Sequence, residues 1–154
     1  MTVYVMPDTL EVVQGYLLSV AEVTALVGTR VRVNTTDTTW PSVRISALTS
    51  VEAVPRRLDR SLIQVDCWAA PPDSTALTLG DETAQLVART VKAALVDIAG
   101  YVHPEQRPDQ PWMVPTAVVT GCDTPAIRYQ PDDSREPVIP RWVVSAAIYL
   151  RPNP

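Results

Sequence analysis

The sequence is poor in the residues that metal, redox and nucleotide-binding sites require. It contains one histidine, His103, two cysteines, Cys67 and Cys122, and no CxxC motif, so a structural zinc site lacks ligands. The five glycines are scattered, and none lies in a GxGxxG or GxxxxGK pattern that would cradle phosphates. No GxSxG motif marks a nucleophilic serine. We therefore expect no metal, no cofactor and no enzymatic activity.

Long apolar runs and an excess of positive charge are also lacking. Purely apolar stretches are only a few residues long, so we expect no segment that spans a membrane. The formal net charge is −4, which argues against a protein that coats nucleic acid by neutralising phosphates. We see no signal peptide. A disulfide between the two cysteines stays open, but reduced, buried thiols in a protein made in the cytoplasm are the favoured interpretation.

Size and composition predict one folded domain that spans residues 1–154. A chain of 154 residues with 46% apolar residues can bury a core without disulfides. The 15 prolines are about twice the ordinary share. Eight of them lie between Pro104 and Pro140, so we expect long proline-rich loops there, including one over 123–140.

The stretch Ser61–Ile98 is the most regular part of the chain. Alternation over Ser61–Ala69 predicts a strand with Ile63, Val65, Cys67 and Ala69 on one face. A helix is predicted from about Leu79 to Ile98, with Gly100 just past its end. Its apolar stripe is predicted to contain Leu79, Leu86, Val91, Leu95 and Ile98, and to be widened by Ala84, Val87, Ala88 and Ala94.

The remaining elements complete an αββαββ order. Asp8 with Glu11 resembles a helix start, and this helix restarts near Val20 and ends at Gly28. Further strands are predicted over Val43–Leu48, Thr116–Thr120 and Trp142–Leu150, while Arg30–Val33 is left open as a short strand. We therefore predict an α+β fold: a single, largely antiparallel, four-stranded sheet with two helices on one face.

Part of the uncovered sheet face is predicted to meet a partner or a loop. It carries Trp68, Leu48, Val143 and Tyr149, which is too much apolar surface to leave wholly in water. Asp66 lies on the same face beside Gln64 and is expected to pair with an arginine of this chain or of a neighbour.

Three other groups suggest chemistry, and each has a plainer explanation. Arg56, Arg57 and Arg60 would suit an anion or DNA contact, but without aromatics or glycines a solvated hairpin connection is favoured. The segment 132–136 holds three carboxylates without the alternate spacing and central glycine of a calcium loop, so a solvated loop is favoured. His103 lacks a recognisable nucleophile and orienting group, so a surface histidine is favoured over a general base.

Several phrases, taken in order, resemble the tail terminator, or tail completion, proteins of long-tailed bacteriophages. Ala25–Val31 (ALVGTRV) is similar to the phrase that ends the first helix of that family. Pro41–Ile45 stands where the family has a proline before its first main strand. Leu62–Ala69 (LIQVDCWA) resembles its strand with the Q-V-D core. The long helix and the closing strand Trp142–Leu150 follow in the family's order.

The resemblance implies a structural role in a virion. Copies would form a hexameric ring that caps the tail tube, ends its polymerisation and joins the tail to the head at the neck. DNA would pass through the lumen without being read in a sequence-specific manner. The implied partners are the chain itself, the major tail tube protein and a head-completion or neck protein, with no membrane. Another neck component that binds the portal side, such as a head-closure or adaptor protein, is the alternative.

The resemblance and the patterning together nominate residues for subunit or tail-tube contacts. These are the aromatic residues of the uncovered face and the charged residues of two connections: Trp68, Tyr149, Asp132, Asp133, Arg135, Glu136, Arg56 and Arg57. The 123–140 loop is the predicted arm, because long loops in compact domains are usually functional or disordered.

Overall fold

The structure of the chain is a computed structural model that describes residues 7–37, 39–54, 58–69, 77–104, 116–123, 125–134 and 138–153. The helices are α1 (Thr9–Ser19), α2 (Ala21–Val27) and α3 (Leu77–Val96). The strands are β1 (Val31–Val33), β2 (Ser42–Val54), β3 (Leu58–Trp68), β4 (Val102–His103), β5 (Thr116–Cys122), β6 (Ala126–Tyr129) and β7 (Arg141–Asn153).

The N-terminal helices begin and end where the sequence places them. Asp8 is the N-cap of α1, and its Oδ1 accepts a hydrogen bond of 2.9 Å from the Leu10 amide. Val20 is extended and separates α1 from α2, which are bent by 89°. Gly28 ends α2 with φ +59°, a region that favours glycine, so the predicted stop is confirmed.

The strands that the structure describes form one mixed, curled sheet in the order β1-β2-β3-β7-β5-β4. Strand β1 pairs in parallel with β2, and the other pairings are antiparallel. Strand β7 pairs with β3 along one edge over Arg141–Leu150. Its other edge is shared, because Trp142–Ser145 pairs with β6 and Ile148–Asn153 pairs with β5. Strand β7 therefore joins three neighbours.

The main core lies between the three helices and one face of the sheet, which we call the helix-covered face. Ile63, Val65 and Cys67 of β3 are fully buried there, as the alternation predicted. Leu17 of α1 and Leu95 of α3 are fully buried in the same cluster. Each burial of a side chain of this size contributes about 1.5–3 kcal/mol relative to exposure, so this cluster is the main apolar contribution to stability.

The predicted fold class is wrong in its element count. We predicted a four-stranded, largely antiparallel sheet with two helices, whereas the described residues form a seven-stranded mixed sheet with three helices. The additional strands β1, β4 and β6 have only two to four residues each. Strands this short carry too little alternation to be recognised alone, and they form because long neighbours present unpaired backbone groups.

Strand β6 also changes the interpretation of the predicted 123–140 loop. Ala126–Tyr129 is hydrogen-bonded to β7, and Asp132 forms an isolated antiparallel bridge with Ile139. Ile127 packs against the core cluster and Ile139 is 5% exposed. Much of this segment is therefore an extension of the sheet and not a free arm.

Among the described helices, no single one is long and apolar enough to cross a bilayer, and α1 and α2 pass such a test only as a bent pair.

Candidate interaction surfaces

The sheet face opposite the helices, which we call the second face, is organised around Asp66. Its carboxylate is fully buried. Oδ2 accepts hydrogen bonds from Arg44 Nη2 at 2.7 Å and from Arg44 Nε at 3.2 Å. Oδ1 accepts from Gln64 Nε2 at 2.9 Å and lies 3.9 Å from Arg141 Nη1. The predicted pairing of Asp66 with an arginine of the same chain is therefore confirmed.

Two arginines also enclose the Trp68 ring. Arg44 Cζ lies 4.9 Å and Arg141 Cζ 5.8 Å from the ring centroid, which suits cation–π contacts. Trp40 lies 6.2 Å away, centroid to centroid, and Trp68 is 2% exposed. The register explains the contacts, because Arg44, Asp66 and Val143 lie side by side on β2, β3 and β7. This end of the second face is sealed within one subunit.

The sealing corrects our prediction that the second face stays free for a partner. Trp68 and Val143, two of the four apolar residues that suggested a partner, are buried by their own chain. Leu48 is 52% exposed beside a β-bulge, and Tyr149 is half-buried. The end of the second face near these two residues remains accessible.

Tyr149 belongs to a polar network at that accessible end. Its hydroxyl donates to Asp123 Oδ2 at 3.0 Å and accepts from Arg60 Nε at 3.1 Å. Arg60 also lies over the Tyr149 ring, with Cζ 5.8 Å from the centroid, and approaches Asp123 at 3.7 Å. The network is largely exposed and its members satisfy one another, so it forms a polar rim.

Helix α3 carries an exposed apolar ridge that the sequence analysis missed. We placed Leu86 in the buried stripe, but it is 52% exposed, and Val96 is 57% exposed. The predicted stripe is confirmed for Ala84, Val87, Ala88, Val91, Ala94 and Leu95, which are buried. At 3.6 residues per turn, Leu86 lies about 100° around the helix from Val87 and about 160° from Ala84, so helical geometry alone could have placed it outside this stripe.

Two grooves flank this ridge. The first, which we call the α3–β6 groove, has a volume of about 330 Å³ and is lined by Gln85, Arg89, Lys92, Ala93, Val96, Ile127 and Trp142. The second lies between α3 and the α1–α2 junction, has a volume of about 670 Å³, and includes Glu22, Asp97 and Arg89. The lining of the first groove carries two cations and no carboxylate, whereas the second has two carboxylates and one cation.

The nominated loop residues are placed only in part. Asp132 is half-buried, with its Oδ1 accepting hydrogen bonds from the Ser134 hydroxyl and amide. Asp133 is exposed next to it. Arg135, Glu136, Arg56 and Arg57 lie outside the described residues.

Burial shifts the pKa values of His103 and of both cysteines. Burial lowers the pKa of His103, and the nearby Glu11 opposes this shift. Burial raises the pKa of Cys122 to about 11 and that of the fully buried Cys67 thiol further still. High thiol pKa values make both cysteines poor nucleophiles at neutral pH. Among the described residues, no three His, Cys, Asp or Glu side chains cluster in a way that could hold a metal ion.

Comparison with known proteins finds similar structures. No protein-family model and no curated protein matches the sequence. Eleven solved chains match in structure. One belongs to the "Virion of native gene transfer agent (GTA) particle", with a TM-score of 0.58 and 15% identity over 93% of this chain and 94% of that chain. At this identity the match shows a shared fold, and it extends over nearly the whole length of both chains.

Proposed function

We propose that this chain is a structural protein of a phage-like virion and that it acts without catalysis. The full-length fold match to a chain of a gene transfer agent virion carries the proposal. A match over 93% of this chain extends far beyond a single supersecondary motif. A fold alone does not specify a function. The sequence segments that resemble tail terminator proteins support a particular role for this fold.

Within the virion, we propose a ring at the neck that caps the tail tube and joins it to the head. The ring is hexameric, ends tube polymerisation, and lets DNA pass through its lumen without sequence-specific binding. Its partners are sister copies, the tail tube protein and a head-completion protein. The net charge of −4 suits a lumen that does not hold DNA phosphates.

Tube capping is tested by mixing the full chain with polymerising tail tube protein. We expect tubes to stop growing when the chain is added, and imaging should show an extra ring at one end of each tube. Tubes that grow to the same length with and without the chain would refute the terminator role.

The alternative is a neck protein that binds the portal side. The fold match supports a virion component of either kind, so the two are separated by binding. Co-sedimentation of the chain with portal rings, and not with tail tubes, would establish the alternative.

A further inference from the structure

We propose that the α3–β6 groove of one copy receives the acidic bridge segment of a second copy. The bridge segment is defined as Gln130–Ser134, which follows β6 and includes Asp133. The inference rests on the proposed ring, because it names the two surfaces that would meet there.

The groove has the character of a protein contact. Its floor is apolar, formed by Ala93, Val96, Ile127 and Trp142, and Val96 is 57% exposed. Arg89 and Lys92 stand at its side, and within the described part of the chain neither forms an ion pair or a hydrogen bond. An apolar floor beside uncompensated cations suits an acidic segment that also buries apolar surface.

The Asp81 carboxylate contacts Trp142, one of the lining residues of this groove. Asp81 Oδ1 accepts a hydrogen bond of 2.9 Å from Trp142 Nε1, so it is committed to orienting the tryptophan. It is not among the lining residues. Asp81 therefore does not neutralise Arg89 or Lys92, the two positively charged residues of the lining.

The bridge segment provides the matching surface on the same chain. Backbone hydrogen bonds between Asp132 and Ile139, at 2.9 and 3.1 Å, hold its base. Asp133 is exposed, and it forms no ion pair or hydrogen bond with the described residues. A segment held in this way loses little conformational entropy on docking.

A second copy is the favoured occupant because the two surfaces are different patches of one chain. A contact of one patch with another is heterologous, and repetition of a heterologous contact closes a ring when the rotation permits. An acidic segment of the tube protein could occupy the same groove, and the test distinguishes it.

The test is a charge exchange in the full chain. The groove variant is Arg89→Glu/Lys92→Glu, the bridge variant is Asp133→Arg, and the triple variant combines them. A matched control, Arg128→Glu/Arg151→Glu, changes the net charge by the same amount at exposed positions outside the groove. Circular dichroism and Tm show that each variant is folded. Ring formation is measured by solution mass and imaging, alone and with tail tube protein.

We expect the groove and bridge variants to assemble about tenfold less well than wild type, as close interfacial charge pairs do. The triple variant should recover most of the loss, and the control should assemble like wild type. Normal assembly of the groove variant, or no recovery in the folded triple variant, would overturn the inference and leave the ring intact. Loss of tube binding with normal ring formation would assign the groove to the tube protein and also overturn it.

Failure of the proposed function has a different signature. If wild type forms rings that never bind tubes, the terminator role is refuted. The charge exchange still tests whether the groove binds the bridge segment of a second copy. If wild type forms no contact between copies under any of these conditions, both proposals are overturned.

Discussion

The substitution Asp66→Asn removes the buried charge that holds the second face together, and we expect it to destabilise the fold strongly. The side chain keeps its size, so packing against Trp68 is retained and the effect is electrostatic. Arg44 loses its anionic acceptor at 2.7 Å, and Arg141 loses the carboxylate 3.9 Å away. The substitution therefore leaves two cations around one tryptophan.

The magnitude follows from the exposure of the partners. Removing one member of a fully buried ion pair typically costs about 3–5 kcal/mol. The Arg44 side chain is 28% exposed and that of Arg141 is 16% exposed, so water compensates in part. We expect a loss of about 2–3 kcal/mol in the free energy of unfolding, or a fall in Tm of roughly 5–10 °C for a chain of this size.

Denaturant unfolding followed by circular dichroism measures this loss, with the m-value checked for constancy. Asp123→Asn is the matched control, because Asp123 also pairs with an arginine but is 57% exposed. We expect the control to leave Tm nearly unchanged. A loss below about 0.5 kcal/mol for Asp66→Asn, the range of ordinary surface substitutions, would refute our reasoning about the second face.

Three further predictions concern the helix-covered side and the thiols. Burial lowers the pKa of His103 in the folded chain, so the imidazole of the unfolded chain is protonated first as the pH falls. The free energy of unfolding should therefore decrease as the pH falls through about 6.5. In denaturant titrations, His103→Gln should lose less stability than wild type between pH 7.5 and 5.5. Gly15→Ala should lower Tm, because the new methyl would lie 3.2 Å from both His103 Nδ1 and the Tyr101 hydroxyl. It should raise Tm in a Tyr101→Phe/His103→Ala background, where both contacts are removed and the helix gain of about 1 kcal/mol remains. Thiol labelling at pH 8 should modify Cys122 slowly and Cys67 only in denaturant, since burial raises the pKa values of both thiols. Rapid labelling of both cysteines in the folded chain would contradict the buried position of Cys67.

The long elements could be predicted because each carries many turns or alternations of a repeating pattern. Strand β3 and the centre of β7 show period-two alternation, and α1 and α2 have recognisable start and stop residues in Asp8 and Gly28. The short strands could not be predicted in this way. Strand β6 has four residues, and only its pairing with β7 makes it a strand. A composition rich in proline predicted a loop there, but proline tolerates the edges and ends of strands.

The second face shows why the candidate site was predicted only in part. The Asp66–arginine pairing could be expected from a carboxylate on a central strand. The position of Arg141 beside it depends on the register of β3 with β7, which pairs Trp68 with Arg141. That register is a non-local property, and so the burial of Trp68 could not be derived from its neighbours in sequence. The same limit applies to the α3–β6 groove, which combines residues from three elements.

The position of β7 in the chain has a consequence for biosynthesis. Strands β3, β5 and β6 all pair with β7, yet they leave the ribosome before it. Until β7 emerges, each of them presents an unpaired edge, and the helices lack Val144, Ile148 and Leu150 as packing partners. Native closure of the sheet must therefore await the final strand, and a nascent chain arrested before it would expose strand edges of the kind that promote aggregation.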